Sequence, residues 1–313
     1  MSAPAILFDT SSAGKLRLTG PDAPMFLANL STNDIKAIPL GGGCETYFCD
    51  HRAKALFQAW VYHILLPDKE HALWLETTPG RNELLFKHLD RYLISEQVEI
   101  EDVTAAFGQQ HLAGPSAKAS LEKVIGGPLP ELSEFQHLER AIAGVTCSIR
   151  RRNLLGMPGY DIVCDAGSGA EVRQVVASAG VETGTADLFE QLRIIAGTPL
   201  YGPDIDENRF VMEVGNVARA VSYSKGCYLG QEPIVMSRDR AGHAPRSFVR
   251  LTLDGDPPAV GAKILAGEEE AGAVTSAARR TTAEGSVALG YVRWKHREPG
   301  TVLTVDGRSA TVS

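Results

Sequence analysis

In "KLRLTG" the apolar Leu16 and Leu18 alternate with Lys15 and Arg17, the period of a half-buried strand. Gly20-Pro21 is a turn, and Asp22 stands where it caps a helix with Pro24 in its first turn. Phe26, Leu27 and Leu30 give that helix its apolar stripe, and "STND" ends it. "CETYFCD" and "ALFQAWVYHILL" read as two strands joined through "DHRAK", and "HALWLET" as a third. "RNELLFKHLDRYLI" changes period: Leu84, Leu85, His88, Leu89 and Tyr92 fall near one helical face. "EQVEIEDVT" returns to strand. This mixed order predicts an α+β fold, not a doubly wound sheet.

The stretch Ala113 to Glu134 is small, polar and turn-rich, with a short helix around Leu121 to Ile125. It reads as the break between two subdomains of a region spanning residues 1–245. Two strands, "AGVTCSIRR" and "GYDIVCD", and two helices, "AEVRQVVASAG" and "TADLFEQLRIIAG", follow. Asp187 and Glu190 suit the start of the last helix; Gly197 and Pro199 mark its stop. From Arg246 the chain becomes short strands between glycine turns, with Asp254-Gly255 and Asp306-Gly307 the strongest turn signals. Residues 246–313 are expected to form a small β-barrel.

Composition narrows the function. The 313 residues carry a net charge of −7, which argues against a general binder of nucleic acid or anionic membrane. The most apolar run, Ala55 to Leu66, is shorter than the about 20 residues a bilayer span needs. "MSAPAILFDTSS" lacks the basic start of a secretory signal, so a cytoplasmic location is expected. The five cysteines are an odd number without a Cys-x-x-Cys pair, and Cys44, Cys49, Cys147 and Cys164 read as small core residues.

Chemistry concentrates in one place. Between Arg219 and Arg250 six basic residues face two acids, inside an otherwise acidic chain. Such a segment is either a solvated set of arginines with scattered partners or a place that attracts an anionic ligand. Within it, "SKGCYLGQEP" sets Cys227 between Gly226 and Gly230, beside Lys225, Gln231 and Glu232. Nearby cations favour a thiolate. A lone thiol is too few ligands for a metal site, so no bound metal is expected. Elsewhere, Arg150 to Arg152 read as flanking a strand, with contact to an anion as the alternative, and Asp204, Asp206 and Glu207 as a solvated loop. The histidines match no ligand motif, and no Gly-x-Ser-x-Gly elbow is present.

"KGCYLGQE", Lys225 to Glu232, resembles the signature of the YgfZ-type folate-binding proteins, relatives of the glycine-cleavage aminomethyltransferase. "LTGPDAPMFLANLSTNDI", "LRIIAGTPLYGPDIDENRF", "GAVTSA" and "ALGYVR" follow that family's order, so the resemblance spans most of the chain. It implies mixed sheets and helices around a central cavity, then a β-barrel. The implied ligand is tetrahydrofolate or a derivative. Phe189 and Arg193 would meet the ligand from one helix, and Asp161 would offer a carboxylate. Lys225, Tyr228, Gln231 and Glu232 would shape a ligand-contacting site around Cys227, the functional thiol. The implied role is an accessory one, supporting iron–sulfur cluster assembly or repair in client enzymes. Two departures from the transferase bear on this. No carboxylate stands around Phe57, Gln58 and Ala59, and Met157 replaces an acid of the Gly-Glu-x-Gly motif. The alternatives are a folate-dependent aminomethyltransferase or demethylase, and a non-enzymatic scaffold for an anion or a protein.

Overall fold

The computed structural model describes residues 5–281 and 284–313. Two sheets and a barrel account for its strands. The first sheet has five strands in the order Gly43–Cys49, Ala55–Leu65, His71–Thr77, Gly14–Thr19 and Glu99–Asp102. The second has six, in the order Glu182–Thr183, Ile6–Asp9, Phe107–Ala113, Gly159–Asp165, Val145–Arg151 and His137–Ile142. Chain order and sheet order differ because the first strand, Ile6–Asp9, joins the second sheet.

Each sheet has two faces, since alternate residues point to opposite sides. Leu16, Leu18, Val61, Leu73 and Leu75 of the first sheet pack with Phe26, Leu27, Leu85 and Leu89 of the helices Ala23–Leu30 and Asn82–Asp90. Leu7, Leu112, Ile149 and Ile162 of the second pack with Leu121, Val172 and Val176 of the helices Ala117–Ile125 and Gly169–Ser178. The opposite faces meet across a shared interior, where Trp60, Tyr62 and Trp74 of one sheet cluster with Val163 of the other. Lys15 belongs to that interior. It is wholly buried and donates to the carbonyls of Ser11 and Ala13, both at 2.8 Å, so its side of the strand faces the interior and not solvent.

Arg246–Leu253, Ser286–Arg293, Glu269–Arg279, Lys263–Ala266, Val302–Val305 and Arg308–Val312 form a closed antiparallel barrel. Val249, Leu251, Ile264, Val292, Leu303 and Val305 fill it. Closure leaves this sheet no open edge. The α+β class with a terminal barrel is therefore as the sequence indicated.

The helix Ala186–Ala196 lies between the barrel and the two sheets. Ile194 packs on Val287 and Leu289 of the barrel, while Leu188, Phe189 and Leu192 pack toward Phe8 and Leu155. Its start differs from expectation. Thr185 is the cap, its hydroxyl accepting from the Leu188 N–H at 3.2 Å, rather than Asp187 with Glu190. Its end is as read: Gly197 takes φ 78°, the left-handed turn that closes a helix. Asp22 also departs from its expected role. It makes no side-chain cap, and its carboxylate accepts from the Gln97 N–H at 2.8 Å. No helix among the described residues is long and apolar enough to cross a membrane.

Candidate functional site

A cavity of about 360 Å³ opens where the two sheets and the helix Ala186–Ala196 converge. Phe8, Trp60 and Phe189 supply aromatic walls; Glu76, Arg152, Asp161 and Arg193 supply charge. Phe189 is held edge-on to Phe8, with ring centroids 5.3 Å apart, and to His111 at 5.8 Å.

The charges form one buried network. Arg152 donates to Glu76 and, at 3.0 Å, to Asp161. Its guanidinium lies over the Trp60 ring, 3.9 Å from the centroid. Asp161 also lies 2.7 Å from His111 Nδ1. Burial pushes the Asp161 carboxyl up, but the Arg152 charge and the His111 hydrogen bond outweigh it and hold it below the usual range. Several polar atoms of cavity-lining residues have no hydrogen-bond partner. Thr10 Oγ1, Thr78 Oγ1, Gln109 Oε1 and Arg152 Nε are buried without a hydrogen bond, and all four residues line the cavity. Buried polar groups are ordinarily paired, so this wall suits a polar ligand.

Arg193 also lines the cavity, but its donors are engaged. Nε donates to Glu190 at 2.8 Å; Nη1 donates to the Thr198 carbonyl at 2.7 Å and to Asp204 at 2.6 Å. Asp204 accepts in addition from Thr275 at 2.6 Å and Ser276 at 2.7 Å, both in the barrel. Asp204 is thus buried and paired, not part of a solvated acidic loop. Arg150 and Arg152 likewise correct the reading of the arginine triplet as a strand flank. Both are buried, and only their ion pairs and aromatic neighbours make that tolerable.

Of the residues singled out in sequence, Asp161, Phe189 and Arg193 meet in this cavity; Lys225, Cys227, Tyr228, Gln231 and Glu232 do not line it. The Lys225 ammonium donates to three carbonyls, of Ala28 at 2.5 Å and of Ser31 and Asn33 at 2.7 Å. These close the end of the helix Ala23–Leu30, so all three of its protons are used by the chain itself. Burial pushes this ammonium down to about 8. Lys225 also lies 4.7 Å from the ring centre of the buried Tyr228. Gly230 takes φ 82°, and a Cβ there would meet the Asp50 carbonyl at 2.5 Å. Held between these anchors, Cys227 is exposed, whereas Cys49, Cys147 and Cys164 are buried. Burial pushes the Cys49 and Cys44 thiols up to about 12.

The basic segment does not converge on one point. Arg219 pairs with Glu45 at 2.6 Å, Arg238 with Asp239, and Arg250 donates to the Ile195 carbonyl at 2.8 Å. Gln58, in the stretch without a carboxylate, donates to Glu45 at 2.7 Å and accepts from the Tyr201 N–H at 3.0 Å. Glu45 is fully buried and takes further donors from Asn216 and Arg219, both at 2.6 Å. Sequence reasoning missed Glu76 and His111, and ranked an anion-contacting role for Arg152 below a strand flank. The signal available for Glu76 was a charge inside an apolar strand, and for Arg152 an arginine run at a strand end. Among the described residues no group of three or more His, Cys, Asp or Glu side chains could hold a metal ion.

Comparison with known proteins fits this architecture. Residues 1–225 match the model of the GCVT N-terminal domain, and residues 246–313 that of the glycine cleavage T-protein C-terminal barrel domain. The chain is 26% identical over 313 residues to an aminomethyltransferase of Saccharopolyspora erythraea, covering 98% of this chain and 83% of that one. It is 25% identical over 304 residues to a chloroplastic transferase candidate of Arabidopsis thaliana, covering 96% and 68%. Among solved structures, the glycine cleavage system aminomethyltransferase T of Bartonella henselae superposes with a TM-score of 0.86 at 24% identity, covering 99% of this chain and 85% of that one.

Proposed function

We propose, for a chain that belongs to the glycine cleavage T-protein family, that the 360 Å³ cavity binds tetrahydrofolate or a derivative in an accessory role toward iron–sulfur enzymes. The observation that carries the folate reading is the set of unpartnered buried atoms of Thr10, Thr78, Gln109 and Arg152 around one aromatic-walled space. A pterin is flat and edged with donors and acceptors. Phe8, Trp60 and Phe189 suit its faces, and those polar atoms suit its edges. Asp161, held ionised by Arg152 and His111, is an acceptor for a ring N–H.

Two features favour binding over turnover. The cavity carboxylates are already matched by Arg152 and His111, and Gln58 stands among neighbours where the transferase pattern expects an acid. The exposed Cys227, on an anchored loop outside the cavity, is the thiol through which the chain would meet a client enzyme or its cluster. The sequence signature around it supports this reading.

Aminomethyl transfer is the second reading, favoured by the names of the relatives and by two carboxylates, Glu76 and Asp161, in the cavity. Titration calorimetry with tetrahydrofolate tests the shared premise; no heat and no thermal shift for the native chain would remove both readings. A loss of about tenfold or more in affinity for Asp161→Asn is expected from a lost charged hydrogen bond in the cavity. Turnover of an aminomethyl donor with tetrahydrofolate would select transfer. Failure of Cys227→Ala to restore iron–sulfur enzyme activity in a deficient strain, with folate binding intact, would select the accessory role.

A further inference from the structure

A second and larger cavity, about 650 Å³, lies between the same two sheets at the other end of their shared interior. Ile64, Trp74, Phe107 and Val163 give it one apolar side, while Arg17, Lys69, Arg150 and His137 with Glu139 and Asp165 give it charged and polar groups. None of its lining residues lines the first cavity. Glu76 and the two arginines stand between them: Glu76 pairs with Arg152 on the first side, and its other oxygen lies 3.6 Å from Arg150 on the second.

Arg150 is the unusual group. Its guanidinium is buried, 4.4 Å from the Tyr62 ring centre and 4.8 Å from that of Trp74. Nε donates to Ser148 at 3.2 Å, yet Nη1 has no hydrogen-bond partner, and 3.6 Å to Glu76 is beyond hydrogen-bond reach. The Trp74 indole N–H is buried and unpartnered as well. Two donors without a hydrogen-bond acceptor therefore belong to residues that line one chamber. A donor buried without a partner is costly, and a charged one more so.

We propose that this chamber is a second ligand site, for a flat apolar molecule bearing a carboxylate. Arg150 Nη1 and Trp74 Nε1 donate to the carboxylate, and Ile64, Phe107 and Val163 cover the apolar body. The guanidinium is prearranged for this. Stacking on Tyr62 and the bond to Ser148 fix its plane, so little freedom is lost when the anion arrives. Neither the site nor its test depends on folate occupying the first cavity.

The probe is 2-naphthoate, titrated calorimetrically into the full chain with and without saturating tetrahydrofolate. One molecule per chain should bind, and the affinity should stay within about twofold when tetrahydrofolate is present, since a twofold change is well under the 1.4 kcal/mol of a tenfold step. Naphthalene-2-methanol, the neutral counterpart, should bind at least about tenfold more weakly, as loss of a charged hydrogen bond requires. Arg150→Met should weaken naphthoate by a similar factor. Because a buried arginine also supports the fold, Thr146→Trp provides a second variant: Thr146 is an exposed strand residue on the chamber lining, and the added ring should block naphthoate while the melting temperature holds. Absence of binding to the native chain, full competition by tetrahydrofolate, equal affinity for the neutral alcohol, or undiminished binding to folded Thr146→Trp would each overturn the proposal.

Discussion

The Lys225 ammonium lies 2.7 Å from the carbonyl oxygen of Ser31, at the end of a helix 194 positions earlier in the chain. With the Ala28 and Asn33 carbonyls it makes a three-pronged anchor, so the lysine of the "KGCYLGQE" stretch holds the loop that presents Cys227. Lys225→Met should lower stability by about 1–3 kcal/mol, the cost of leaving partly buried acceptors unpaired. It should also change the rate at which iodoacetamide modifies Cys227. Urea unfolding and a timed alkylation assay report the two effects, and an unchanged alkylation rate would separate the lysine from the thiol.

Asp204 collects four donors: Arg193, the Leu200 N–H, Thr275 and Ser276. Asp204→Ala removes one of the two carboxylates on the buried Arg193, which keeps Glu190, and leaves Thr275 and Ser276 without their shared acceptor; it should cost about 1–3 kcal/mol, seen as an earlier denaturant midpoint. Asp204→Asn keeps an acceptor oxygen and should lose less. Equal losses in the two variants would contradict the assignment of the effect to the acceptor oxygen that Asp204 supplies.

Burial, and then the charge of Arg150, push the His137 imidazole down to about 4, while its Nε2 donates to the His63 carbonyl at 3.1 Å. Below about pH 6.5 an unfolded histidine takes up a proton that the folded one refuses. This group's contribution is therefore full above about 6.5 and is lost as pH falls toward 4, by up to about 3 kcal/mol. Replacing it in His137→Gln should flatten the stability profile between those values relative to the native chain. Parallel profiles would show that the imidazole protonates in the fold.

Phe189 packs edge-on against both Phe8 and His111 while lining the smaller cavity. Phe189→Ala should weaken tetrahydrofolate by about threefold to tenfold, the range of a lost aromatic contact of about 0.5–1.5 kcal/mol. A parallel thermal melt distinguishes this from unfolding. Unchanged affinity would place the pterin away from the helix.

The architecture was legible because strand and helix periods are local properties. "KLRLTG" shows alternation and "RNELLFKHLDRYLI" a helical stripe without reference to anything distant. The cavity was only partly legible. Asp161, Phe189 and Arg193 emerged through resemblance, whereas Glu76 looked like an ordinary strand residue and Arg152 like the tail of a basic run. Their meaning comes from each other, 76 positions apart, and pattern cannot see a pairing of that kind. Lys15 shows the same limit. The alternation is real, but both faces of its strand are covered, so the polar side faces a second sheet and not water. Lys225 was read as a ligand contact because its neighbours are reactive types; its carbonyl partners are set by a tertiary fold.

The helix Ala186–Ala196 belongs to two structures at once. Phe189 looks into the cavity, while the Gln191 side chain donates to the Arg279 carbonyl at 2.8 Å and the Ile195 carbonyl accepts from Arg250 at 2.8 Å, both across the barrel boundary. A chain cut before Arg246 would leave Ile194 without its apolar floor and Asp204 without two donors. The barrel therefore acts as a keystone: the cavity holds its shape only while residues 246–313 are in place, and the two should melt in one cooperative step.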